Sequence, residues 1–168
     1  LVDAFTDSAF GGNPAVVCFL EHPKTDGWMQ NVAAEMGVSE TAFLIRRGDG
    51  YNLRWFTPKV EVELCGHATL ASAFVLYQRG WVKTDQAIRF YTKSGVLGGL
   101  WVDGWITLDF PATPALEATA PEGILQALQI TAEYVGKTKF DFLIEVESEE
   151  IVKRLKPDFR ALALIPTR

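Results

Sequence analysis

The sequence predicts a globular fold in which strands and helices are mixed and one helix is enclosed by a sheet. Of the 168 residues, 48% are hydrophobic and 22% are charged, a composition typical of a folded, soluble protein rather than a disordered one. Runs typical of strands alternate along the chain with helical patterns. The helical pattern at residues 67–79 is apolar or small nearly all round, which a helix on the protein surface does not tolerate.

The first third of the chain predicts two strands, an amphipathic helix and a hairpin. The strands are expected at residues 1–5 and 14–20, because both runs are β-branched or aromatic and the turn-forming residues Gly11-Gly12-Asn13 separate them. Asp26 is predicted to be the N-cap of the helix, and Gly37 stands where a left-handed terminator belongs. Residues 41–45 and 53–56 read as the two strands of the hairpin.

After the apolar helix, residues 88–110 predict a meander of short hairpins punctuated by glycines. Prolines at 111, 114 and 121 make residues 112–120 the one linker-like stretch, and a domain boundary is expected there. Four further segments are predicted beyond it: a helix at 122–128, a strand at 140–146, an amphipathic helix at 148–155 and an apolar run at 161–165 that calls for a sheet partner.

Charge and cysteine content exclude several classes of function. A formal net charge of −5 and a pI near 5.1 supply no general attraction to nucleic acid or anionic lipid. The most apolar stretch, residues 68–77, is half the length of about 20 residues that a bilayer requires. Two cysteines without a recognisable framework and no leader pattern favour the cytoplasm.

Both ends of the chain interrupt apolar runs of the kind found inside sheets. The sequence begins at Leu1 with an alternating run and stops just after the run at 161–165. We therefore expect it to be the N-terminal part of a longer protein and inactive alone. Open edge strands attract other chains, so a homodimer is also expected.

Polar residues that could carry chemistry lie at three junctions between apolar segments: Asn13, the pair Ser39-Glu40, and Cys65-Gly66-His67. Glu40 immediately precedes an apolar strand, and partly apolar surroundings suit a carboxylate that acts as a general base. The alternative is a solvated glutamate or an ion-pair partner of Arg46 or Arg54, and position in the sequence does not decide between them.

Gly66 and His67 open the apolar helix, so the unpaired N–H groups of its first turn predict an anion site. His67 could add a hydrogen bond or a proton, or could be a structural histidine with a glycine needed only for the turn. Cys65 at the same helix terminus is a candidate reactive thiol or an inert buried one. No metal is expected, because the spacing of histidines and cysteines matches no zinc site.

Four ordered motifs resemble the phenazine biosynthesis PhzF-like family of isomerases, which is related in fold to diaminopimelate epimerase. The motifs are residues 3–6 with 10–15, residues 34–43, residues 54–58, and residues 61–71 around Cys65-Gly66-His67. The resemblance runs in order to about residue 112. Residues 155–158 resemble a segment of the family's second domain.

The resemblance implies an α+β fold of two similar lobes, each a curved mixed sheet wrapped around a central helix. Residues 1–112 would form the N-terminal lobe, and residues 113–168 a linker and an incomplete second lobe. The family's catalytic glutamate corresponds to Glu40, its glycine and histidine to Gly66 and His67, and Ser39 lines the same pocket in the family. Asn13 falls in a loop that corresponds to a substrate-facing loop of the epimerase relatives. Cys65 matches a catalytic cysteine of the epimerase branch, but His67 stands where that branch has asparagine.

By resemblance, the function is therefore that of an isomerase without cofactor, which abstracts and returns a proton on a small carboxylate-bearing metabolite. Two alternatives stay open, a thiol-based racemase that uses Cys65 and a binding protein of the same fold without turnover. The family's second-lobe acidic residue and anion loop have no match in residues 113–168.

Overall fold

The chain forms two units, Leu1–Pro111 and Ala112–Arg168, and the computed structural model describes residues 1–8 and 10–167. The α+β class predicted from the sequence is confirmed. In chain order, the first unit contains β1 (Val2–Ala4), β2 (Asn13–Leu20), α1 (Asp26–Met36), β3 (Glu40–Arg47), β4 (Gly50–Phe56), β5 (Glu61–Val62), α2 (Gly66–Gln78), β6 (Ile88–Thr92), β7 (Gly95–Val102) and β8 (Trp105–Asp109).

These eight strands build one mixed sheet with the order β1-β2-β3-β4-β6-β7-β8, and β5 pairs with β4 outside this path. The pairs β2/β3 and β4/β6 are parallel, because helices α1 and α2 carry the chain back across the sheet between them. The remaining neighbours are antiparallel, including the predicted hairpin of β3 and β4 and the predicted meander from β6 to β8.

Helix α2 lies inside the curve of this sheet. It contacts β1 and β2 at one end of the strand order and β8 at the other, so the sheet must curl around it. Small residues allow this close packing: Ala68, Ala71 and Ala73 are completely buried. The prediction of an enclosed helix is confirmed, although Phe74 remains exposed.

Helix α1 packs on the opposite face of the sheet. Its buried residues Met29 and Ala33 form a separate cluster with Phe43 of β3. Gly37 ends the helix in the left-handed conformation, as predicted. The predicted N-cap was wrong: Thr25, not Asp26, is the extended residue whose side chain accepts the Trp28 N–H.

The second unit contains β9 (Leu116–Glu117), α3 (Ile124–Leu128), β10 (Tyr134–Lys137), β11 (Phe142–Glu145), α4 (Glu149–Arg154) and α5 (Phe159–Leu162). Its three strands form an antiparallel sheet in the order β11-β10-β9. The linker-like stretch thus includes strand β9, and β10 was not predicted.

The apolar run at 161–165 was predicted to pair with a strand of a sheet, and this prediction was wrong. Its first residues belong to α5, because the Asp158 side chain accepts the N–H groups of Arg160 and Ala161 and caps a helical turn. Across residues 1–8 and 10–167, no helix is long and apolar enough to cross a membrane.

Candidate functional site

The fold brings the three predicted junctions together at one place. Strands β2 and β3 are parallel neighbours with Ala15 opposite Glu40, so their N-terminal ends lie at the same edge of the sheet. Helix α2 packs against both strands, and Cys65 and His67 stand at its N-terminus. Residues that are up to 54 positions apart in the sequence therefore become neighbours.

Glu40 and Ser39 both face the imidazole of His67. The Glu40 Oε2 atom lies 3.3 Å from His67 Nε2, and the Ser39 Oγ atom lies 3.3 Å from the same nitrogen. Ser39 Oγ also donates to Asn13 Oδ1 at 3.5 Å. The Glu40 and His67 side chains are 19% and 10% exposed, so both are mostly buried but remain accessible to solvent.

The sequence left open whether Glu40 pairs with an arginine, and the structure gives Arg54 other partners. Its guanidinium donates to both carboxylate oxygens of Glu61, at 2.7 and 2.8 Å, and to Asp26 at 2.8 Å. Hydrogen bonding to Glu61 raises the pKa of Arg54, and the same contact lowers the pKa of Glu61. Glu40 instead has the His67 imidazole as its neighbour.

Gly66 is the first residue of α2, a helix of 13 residues whose first-turn N–H groups have no partner within the helix. Its φ lies outside the left-handed region, and a Cβ atom added there would be in ordinary contact, 3.7 Å from the Phe110 ring. Neither the turn nor the packing of the described residues therefore requires glycine at this position.

Cys65 is the N-cap of α2 and is buried, with its Sγ atom 3.5 Å from His67 Nδ1. The sequence reasoning did not foresee this contact, because a residue spacing of two does not reveal where the side chains point.

Glu40, Cys65 and His67 also form a group of three metal-ligand types, with ligand atoms within 4.8 Å of one another. The spacing rules missed this group because Glu40 lies 25 positions before Cys65. However, Glu40 faces Nε2 and Cys65 faces Nδ1, and one metal ion binds only one ring nitrogen. In this arrangement the imidazole contacts the two groups through different ring nitrogens rather than sharing a metal with them. The absence of a metal remains a prediction.

A cavity of about 650 Å³ lies elsewhere, between α1 and the far part of β3 and β4. Its lining includes Met29, Phe43, Arg47 and Tyr91, and none of the predicted site residues. The Glu40–His67 cluster is the candidate site, because titratable groups converge there, whereas this cavity is an open surface cleft.

Comparisons with known proteins agree on one family. The family model described as phenazine biosynthesis-like protein matches residues 2–168. An uncharacterized isomerase of Halalkalibacterium halodurans is 52% identical over 100% of this chain and 64% of its own length. A phenazine biosynthesis-like domain-containing protein of Homo sapiens is 37% identical over 92% of this chain and 55% of its own length.

Solved structures agree with the sequence relatives. A phenazine biosynthesis protein of the PhzF family from Enterococcus faecalis superimposes with a TM-score of 0.84 at 37% identity, over 98% of this chain and 63% of that one. A predicted epimerase of Pseudomonas aeruginosa, at 18% identity and a TM-score of 0.71, shares the fold. The chain thus spans less than two thirds of the length of the curated relatives described above.

Proposed function

The chain belongs to the family of phenazine biosynthesis-like proteins, whose relatives include named isomerases, and we propose that it contributes half of a proton-transfer site to an isomerase. The substrate would be a small molecule with a carboxylate next to an acidic C–H bond. No cofactor is needed, since the carboxylate itself helps to delocalise the electron pair left on carbon.

The observation that carries this proposal is the 3.3 Å contact between Glu40 Oε2 and His67 Nε2 at the N-terminus of α2. Glu40 removes the proton from carbon, the electron pair stays on the substrate, and the proton returns to the same or to another carbon. A positioned general base of this kind contributes about 10²–10⁴-fold to the rate.

The N-terminus of α2 is the proposed place for the substrate carboxylate. Its N–H groups and dipole favour an anion by about 0.3–2 kcal/mol. Gly66 supports this role, because neither packing nor backbone conformation accounts for glycine there, whereas a side chain would obstruct a ligand approaching the backbone. Ser39 and Asn13 lie on the same side and offer hydrogen bonds that orient the substrate.

A thiol-based racemase is the second candidate, because the Cys65 Sγ atom lies 3.5 Å from the His67 imidazole. In that reaction the thiolate, rather than Glu40, takes the proton from carbon. Alkylation of Cys65 by iodoacetamide would then abolish exchange, and substrate would protect against it.

Deuterium wash-in tests the proposal. Two proteins would be incubated in D₂O: the chain itself, and the chain extended by the remaining third of the Halalkalibacterium relative. Each would be mixed with both enantiomers of the amino acids and 2-hydroxy acids. Mass spectrometry should detect one deuterium gained at carbon by a member of this set in the extended protein. Binding without wash-in would instead indicate a binding protein. The homodimer and the cytoplasmic location stay predictions of the sequence.

A further inference from the structure

The two ring nitrogens of His67 have different neighbours, and this difference determines where hydrogens can reside. Nδ1 faces the Cys65 thiol at 3.5 Å, whereas Nε2 faces Glu40 and Ser39, both at 3.3 Å. The backbone of Cys65 is held in place, because its carbonyl accepts the Thr69 hydroxyl at 2.5 Å within the buried first turn of α2. The thiol therefore sits at a defined place beside the ring.

A count of donors and acceptors favours one direction for the hydrogen bonds of a neutral His67 ring. An ionised carboxylate only accepts, so a neutral imidazole presents a hydrogen to Glu40, 3.3 Å away, when that hydrogen is on Nε2. A neutral imidazole has only one such hydrogen, which makes Nδ1 an acceptor. The Cys65 S–H is a donor within reach of Nδ1, and the Ser39 hydroxyl can direct its own hydrogen to Asn13 Oδ1.

We propose that Cys65 is a positioning residue whose S–H donates to His67 Nδ1 and keeps the imidazole in the Nε2–H form. A thiol is a weak donor in water, but the burial of Cys65 removes competing water and strengthens the bond. Which ring nitrogen carries the hydrogen is decided by the partner of the other nitrogen, and here that partner is Cys65.

The consequence for catalysis rests on the proposed function. While Nε2 carries a hydrogen, a proton that Glu40 takes from substrate has no free site on the imidazole. Glu40 therefore keeps this proton and returns it to the substrate itself, and His67 does not relay it. The thiol acts through His67 and has no contact with the substrate in this scheme.

Nitrogen NMR of the chain labelled with ¹⁵N-histidine tests the inference without any substrate. The sequence contains two histidines, and the exposed His22 can be assigned by the variant His22→Gln. At about pH 8, above the ordinary histidine pKa, the chemical shifts distinguish the Nε2–H form, the Nδ1–H form and the doubly protonated ring. The wild type should show only the Nε2–H form for His67.

Variants of the two cysteines supply the matched controls. Cys65→Ala should produce a mixture of both neutral forms, Cys65→Ser should restore the Nε2–H form because its hydroxyl can donate, and Cys18→Ala should change nothing. Cys18 lies on β2 and packs against the cluster that contains Met29, Ala33 and Phe43, which is separate from the core around α2.

Three results would overturn the inference: an Nδ1–H or doubly protonated ring in the wild type, an unchanged spectrum in Cys65→Ala, or a loss of the Nε2–H form in Cys65→Ser. The His22 signal and circular dichroism report whether each variant is folded. If Cys65→Ala does not fold, Cys65→Val, which also lacks a side-chain donor, takes its place with the same expected mixture and the same refuting result. Failure of wash-in alone would count against the proposed function and leave the spectra unaffected.

Discussion

Replacing Glu40 with glutamine should abolish proton transfer while the fold survives. The amide keeps the size and shape of the side chain but cannot take a proton from carbon. Loss of a positioned general base lowers the rate by about 10²–10⁴-fold, which corresponds to about 2.7–5.5 kcal/mol of activation free energy.

The cost to stability should be much smaller. The side chain is 19% exposed, and its carboxylate lies 3.3 Å from His67 Nε2, an atom that the amide group of glutamine can still contact. The change replaces a charged contact with a neutral polar one, a difference of about 1 kcal/mol in the free energy of unfolding. The predicted effect on activity therefore exceeds the predicted effect on folding severalfold.

Deuterium wash-in and urea unfolding would be measured on the same samples of the extended protein. Glu35→Gln is the matched control, since Glu35 is an exposed residue of α1 and should leave both quantities unchanged. Retention of more than about a tenth of the wild-type wash-in rate by Glu40→Gln would refute a general-base role worth 10²-fold or more. A large drop in stability would instead mean that Glu40 is structural.

Three further changes test the anion site, the ion-pair cluster and the core. His67→Asn should weaken carboxylate binding only partly, because the N–H groups of α2 remain; calorimetry that finds unchanged affinity would assign His67 to structure. Glu61→Gln should destabilise the protein at neutral pH. Because Arg54 lowers the folded-state pKa of Glu61, this stabilisation exists above the ordinary glutamate pKa and disappears as the pH falls through the folded value. Urea midpoints of wild type and variant should converge in acid, and a constant gap would contradict the assignment. Leu76→Ala, at a buried position of α2, should cost about 2–5 kcal/mol in urea unfolding, and a cost under about 1 kcal/mol would mean that the helix is not enclosed.

The local elements of the first unit could be predicted because each depends on residues close in sequence. The left-handed Gly37 ends α1, and the apolar surface of residues 67–79 identifies the enclosed helix. Where two neighbours could serve equally, prediction failed: Thr25 and Asp26 are both good N-caps, and only the backbone geometry selects Thr25. The strand β10 was missed because it is four residues long and contains Gly136.

Sequence alone identified the polar junctions at Asn13, Glu40 and His67, and it identified the family through ordered motifs around them, because residue identity and spacing are properties of the chain itself. Tertiary structure decided which partners these residues have. Glu40 faces His67 rather than Arg54, since the parallel pairing of β2 with β3 and the packing of α2 bring distant segments to one edge. The position of the Cys65 thiol at Nδ1 likewise depends on the fold, because side-chain direction at a helix N-terminus is set by the backbone conformation there and not by spacing in the sequence.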